Sequence, residues 1–83
     1  MKNKFYRVRY EDDCVRLTVD FADSFNEAVK RAQEWMRNCG LAFQETKTTD
    51  GESIRWKCLN PPAPKLAMAI YIERSYDGED RTN

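Results

Sequence analysis

Residues 23–40, DSFNEAVKRAQEWMRNCG, carry a helix start signal, a stop signal and one apolar stripe, and so dictate what the rest of the chain has to supply. Ser24-Phe25-Asn26-Glu27 has the form of a capping box, in which Ser24 accepts from the third helical N–H while Glu27 reaches back. At about 100° per residue, Phe25, Ala28, Val29, Ala32, Trp35, Met36 and Cys39 fall within one arc about 120° wide, and polar residues take the remainder. Glu27 precedes Arg31 by one helical turn, the favourable order on a solvated side. Gly40 follows as a left-handed stop. A helix with one apolar side covers one face of a partner layer and leaves the other open.

The flanking segments supply that layer. In residues 4–10, Tyr6, Val8 and Tyr10 alternate with Phe5, Arg7 and Arg9. In residues 14–22, Val15, Leu17, Val19 and Phe21 alternate with Cys14, Arg16, Thr18, Asp20 and Ala22. Such period-two patterning in β-branched and aromatic residues predicts strands. The short polar link Glu11-Asp12-Asp13 pairs them as an antiparallel hairpin. A second hairpin follows the helix. Residues 41–49 lead into Asp50-Gly51, a preferred type I′ turn pair, and residues 52–59 return with Ile54, Trp56 and Cys58 inward and Ser53, Arg55 and Lys57 outward.

Asn60-Pro61-Pro62-Ala63-Pro64 cannot join a ladder and reads as a stiff connector. The stretch 65–74, KLAMAIYIER, is expected as a strand burying Leu66, Met68, Ile70 and Ile72, with a helix starting after Pro64 as the alternative. The expectation is an α+β fold: a single antiparallel sheet in the order of elements ββαββ(β), with one amphipathic helix packed on one face. Residues 1–74 form the domain and 75–83 a flexible C-terminal tail. Strand order and oligomeric state are left open.

Eighty-three residues suffice for one small core, and aromatics at 12% offset a modest 41% hydrophobic content. Basic and acidic side chains balance at 14 each, which argues against polyanion binding through the overall field but not through a local patch. The sequence has no apolar run long enough to cross a membrane, and its basic start MKNK is not followed by the apolar stretch of a secretory signal. Cys14, Cys39 and Cys58 are an odd number without a CxxC pair, which suits reduced thiols in a cytoplasm.

Enzyme signatures are sparse. The chain has no histidine, and no nucleophile elbow surrounds Ser24, Ser53 or Ser75. Cys39 and Cys58 fall on apolar faces, where structural roles are expected. Glu11, Asp12 and Asp13, and separately Asp77, Glu79 and Asp80, are acidic clusters explained by a solvated turn and a polar tail. The isolated Gly40, Gly51 and Gly78 make no phosphate loop. The expectation is a non-enzymatic protein without catalytic residues, cofactor or metal.

The informative constellation is the side of the sheet away from the helix. With Val15, Leu17, Val19, Ile54 and Trp56 on the helix, Arg7, Arg9, Arg16, Arg55 and Lys57 emerge together opposite, with Phe5 and Tyr71 among them. Asp20 and Glu73 are the acids expected there. These seven residues are the candidate partner-binding set. A basic, aromatic-dotted sheet face suits an acidic protein surface, since arginine and tyrosine dominate interface hot spots. RNA or single-stranded nucleic acid is the second reading, and a merely solvated face the third. A homodimer through the sheet face or an edge strand is a further route.

The strand running into a helix, LTVDFADSFNEAVKRAQEW (Leu17 to Trp35), and the hairpin through Thr49-Asp50-Gly51-Glu52 resemble the small α+β proteins that bacteriophages and mobile elements encode against host defence, the anti-CRISPR proteins among them. The resemblance spans about two-thirds of the chain. HicB-type antitoxins share a hairpin followed by such a helix, but the glycine- and proline-containing stretch before their helix is absent here. The anti-defence resemblance implies a stoichiometric inhibitor without cofactor that acts in the host cytoplasm by occupying a CRISPR-Cas effector or another defence nuclease.

Overall fold

The computed structural model describes residues 4–47 and 53–76. Strands β1 (Lys4–Asp12) and β2 (Arg16–Ala22) precede the helix α1 (Phe25–Cys39), and β3 (Phe43–Lys47), β4 (Ile54–Cys58) and β5 (Met68–Tyr76) follow it. All pairings are antiparallel, in one five-stranded sheet of order β2-β1-β5-β4-β3. The expected α+β architecture is therefore present. The expected turn at Asp50-Gly51 and the tail beyond Tyr76 lie outside the described residues.

The strand 65–74 enters between the two hairpins and joins them. Its apolar residues suit that central place: Met68, Ile70 and Ile72 are buried on the helix side, and Ala69 is buried on the other. Strand conformation begins later than expected, at Met68, and Leu66 lies before it at 87% exposure. It also ends later: β5 runs through Ser75 and Tyr76, beyond the boundary expected at residue 74.

The helix termini form as the sequence signals. Ser24 accepts the N–H of Glu27 at 3.1 Å, and Gly40 takes the left-handed conformation at φ 69°. The Glu27 carboxylate meets Arg31 at 3.4 Å, the pair expected one turn along. Crossing from β2 at one edge to β3 at the other, the helix lays Ala28, Ala32 and Met36 on the sheet and packs on β1, β2 and β5. Tyr6, Val8, Tyr10, Ile54, Trp56 and Cys58 complete the core, with Leu17 and Val19 packed against it. The rings of Tyr6 and Phe25 meet edge-on at 5.9 Å, and those of Tyr10 and Trp35 lie 5.5 Å apart.

One strand departs from simple alternation. Val8 pairs with Asp20 but Arg9 pairs with Thr18, so Val19 is an extra residue, a β-bulge. The bulge reverses the facing of everything after it. Phe21 turns away from the helix and lies 6.3 Å from Phe5, while Asp20 and Ala22 turn toward it. Ala22 is buried there, and Asp20 accepts from Arg31 at 3.1 and 3.2 Å. Phe21 is thus not a core partner of Val15, Leu17 and Val19, and Asp20 is not an acid of the open face. Val15, in the turn before β2, is 46% exposed.

Candidate functional site

Directly opposed residues in an antiparallel ladder share a face, so the registers map the open side row by row. Phe5 lies beside Ser75, and Phe21, Arg7 and Glu73 form the next row. Then come Thr18, Arg9, Tyr71, Arg55 and Thr46, and finally Arg16, Glu11, Ala69, Lys57 and Gln44. All seven candidate residues stand on this one face, away from the helix.

They are not equally available. Phe5 is 0% exposed and Arg7 7%, which removes both from any contact surface. The Arg7 guanidinium sits 5.1 Å from the Phe5 ring, donates to the Ser75 hydroxyl and lies 3.4 Å from Glu73 Oε1. Phe21 closes over Phe5 from the neighbouring strand. This end of the face is a small second core, packed around an arginine.

The other end carries Arg9 and Arg55 on either side of Tyr71, with Arg16 and Lys57 in the next row. Arg9 is half-buried and donates to Thr18 Oγ1 at 2.9 Å. The Arg55 guanidinium lies 5.4 Å from the centroid of the Tyr71 ring, within cation–π range. Arg16, Arg55 and Lys57 are exposed. Beside Arg55 and Tyr71 a recess of about 410 Å³ opens where β5 runs on past the start of β4, with Ser53, Glu73 and Arg74 also on its wall.

Glu11 is a further residue of this face, although the sequence pattern assigns it to the turn. It was expected in the polar link, but β1 continues to Asp12, and Glu11 stands among the cations. Extending the alternation Phe5, Arg7, Arg9 by one step would have found it. Its carboxylate meets Arg16 at 3.1 Å and also accepts from Arg55. Burial pushes the Glu11 pKa up, but hydrogen bonding and charge from Arg55, with Arg16 behind it, outweigh that and leave it below the usual range. Among the described residues the acids of the face are thus Glu11 and Glu73, against five cations.

The remaining acids of the first turn are engaged internally. Asp12 accepts from Lys65 and Tyr10, and Asp13 accepts the N–H groups of Leu66 and Ala67 at 2.7 and 2.8 Å. Among the described residues no group of three or more His, Cys, Asp or Glu side chains is placed to hold a metal ion, and no helix is long and apolar enough to cross a membrane. The three cysteines are unpaired: Cys14 is exposed, Cys58 is buried, and burial pushes the Cys39 thiol up. Comparison with protein-family models, curated proteins and solved structures finds no match to this chain.

Proposed function

We propose that this chain is a non-enzymatic binding protein, an inhibitor or adaptor acting by stoichiometric contact, that docks an acidic protein surface on Arg9, Arg16, Arg55, Lys57 and Tyr71. One observation carries the reading: four cations from three strands lie in the Tyr71 row and the row beside it, with Glu11 as the one acid of those two rows among the described residues, in a chain whose net charge is zero. Solvation alone needs no such segregation of charge. Arg9 is already held by Thr18 and Arg55 by Tyr71, so their ordering cost on binding is reduced.

A protein partner is favoured over single-stranded nucleic acid by the state of the aromatic rings. Base stacking needs an open ring face, yet Phe5 is fully covered and Arg55 lies over Tyr71. Self-association through this face would bring like charges together, so the edge strands β2 and β3 are the better route between copies.

The narrower reading as a phage anti-defence inhibitor rests on the resemblance carried by Leu17–Trp35 and by the hairpin sequence Thr49-Asp50-Gly51-Glu52. Because Glu11, Asp12 and Asp13 are consumed internally, such an inhibitor would meet an acidic surface of its effector rather than imitate nucleic acid in a basic groove. Three cysteines unpaired within the chain suit a cytoplasmic site of action.

The test is capture from lysate with the wild type and with an Arg9→Glu/Arg55→Glu/Lys57→Glu variant that keeps the wild-type circular dichroism. The variant is expected to lose the partner that the wild type retains. Full retention by the variant overturns the reading, and a nuclease-sensitive complex that weakens steeply with salt transfers it to nucleic acid.

A further inference from the structure

Glu11 holds two arginines with one carboxylate. Oε2 accepts from Arg16 Nε at 3.2 Å, and Oε1 accepts from Arg55 Nη2. The two arginines come from β2 and β4, strands that do not touch each other. Arg55 reaches Glu11 across β5, where the residue opposite Glu11 is Ala69, whose methyl leaves the path open.

Resting on the docking reading above, we propose that Glu11 occupies, within the chain, the seat that a carboxylate of the acidic partner takes in the complex. Glu11 is then a built-in competitor that sets the affinity of the face. Two guanidinium forks converging on one carboxylate are the arrangement by which arginines grip an external carboxylate. The arginine side of the pairing faces solvent, with the Arg16 and Arg55 side chains 64% and 50% exposed against 18% for Glu11, so an incoming carboxylate can reach both guanidiniums as Glu11 leaves, at the small net cost of exchanging partly exposed ion pairs. The ring of Tyr71 continues to support Arg55 when Glu11 leaves. The exchange also keeps both arginines neutralised throughout.

The experiment is fluorescence anisotropy with a labelled decaglutamate peptide, comparing wild type, Glu11→Gln and Arg55→Glu. Glu11→Gln is expected to tighten binding by about three- to tenfold, the range that two partly exposed ion pairs are worth. Unchanged or weakened binding by Glu11→Gln overturns the proposal, since a carboxylate that merely positions the arginines would lower affinity when removed. Glu11→Asp, too short to span both arginines, is expected to fall between and serves where Glu11→Gln folds poorly. If Arg55→Glu abolishes binding while Glu11→Gln gains nothing, the docking face stands and only the competitor role fails. If wild type, Arg55→Glu and Glu11→Gln bind alike or not at all, both fail. A gain by Glu11→Gln for a labelled decauridine strand but not for the peptide assigns the seat to phosphate and overturns the carboxylate assignment.

Discussion

Lys65 Nζ lies 2.5 Å from Asp12 Oδ2, although 53 residues separate them. Tyr10 completes the set, donating to the same oxygen and accepting from Lys65 at 2.9 Å. The other oxygen of Asp12 takes the N–H groups of Cys14 and Val15 at 2.8 and 3.0 Å. With Asp13 holding Leu66 and Ala67, two neighbouring acids clamp the proline-rich connector against the first turn. Ion pairing and turn formation are thus one device, placed where the basic end of the open face begins.

This clamp makes stability pH-dependent with a defined sign. Hydrogen bonds from Lys65, then Tyr10, hold the Asp12 carboxyl well below the usual carboxylate range. A carboxylate lowered on folding contributes fully above its unfolded pKa of about 4 and loses that contribution as pH falls through the folded value. Lys65 is shifted upward by Asp12 and Tyr10, so its share is complete below about pH 10 and lost as pH rises through its folded value. Urea midpoints are expected to be level from about pH 5 to about pH 9 and to fall toward about pH 3. Asp12→Asn is expected to shrink that acid-side fall, and an undiminished fall would assign it to other carboxylates.

Arg7 and Arg16 share a face but not a role. Arg7→Glu places a carboxylate beside Glu73 in a site where the native side chain is 7% exposed, at a cost of about 3–5 kcal/mol. Arg16→Glu, at an exposed position, is expected to cost about 1 kcal/mol or less. Chemical unfolding of the two variants checks the contrast, and equal losses would contradict the packed-arginine assignment.

The fold was legible where pattern and capping agree. Ser24, Gly40 and the apolar stripe between them specify the helix, and the alternation of Tyr6, Val8 and Tyr10 gives the facing of the central ladder. The bulge at Val19 was not legible, because Leu17, Val19 and Phe21 alternate without interruption and no glycine marks the extra residue. What decides it is tertiary: Ala22 fits under the helix, Asp20 meets Arg31, and Phe21 covers Phe5. For the site, the shared face of the cations could be read from alternation, whereas the burial of Phe5 and Arg7 could not. It depends on Phe21 and Ser75, whose placement follows from the bulge and from the length of β5.

Trp56 is 4% exposed at the centre of the helix-facing side of β4. Trp56→Ala is expected to cost about 3–5 kcal/mol, enough to unfold much of so small a domain. A melting temperature near that of the wild type would mean that β4 faces the other way, and Arg55 and Lys57 would leave the open face with it.

The most direct test of the docking face is an amide-resolved NMR titration of the wild type with decaglutamate. The account predicts shift changes at Arg9, Glu11, Arg16, Arg55, Lys57 and Tyr71, with Lys30, Glu34 and Arg37 on the helix's outer side unmoved. Changes confined to the helix, or no changes while the captured partner still binds, would contradict it.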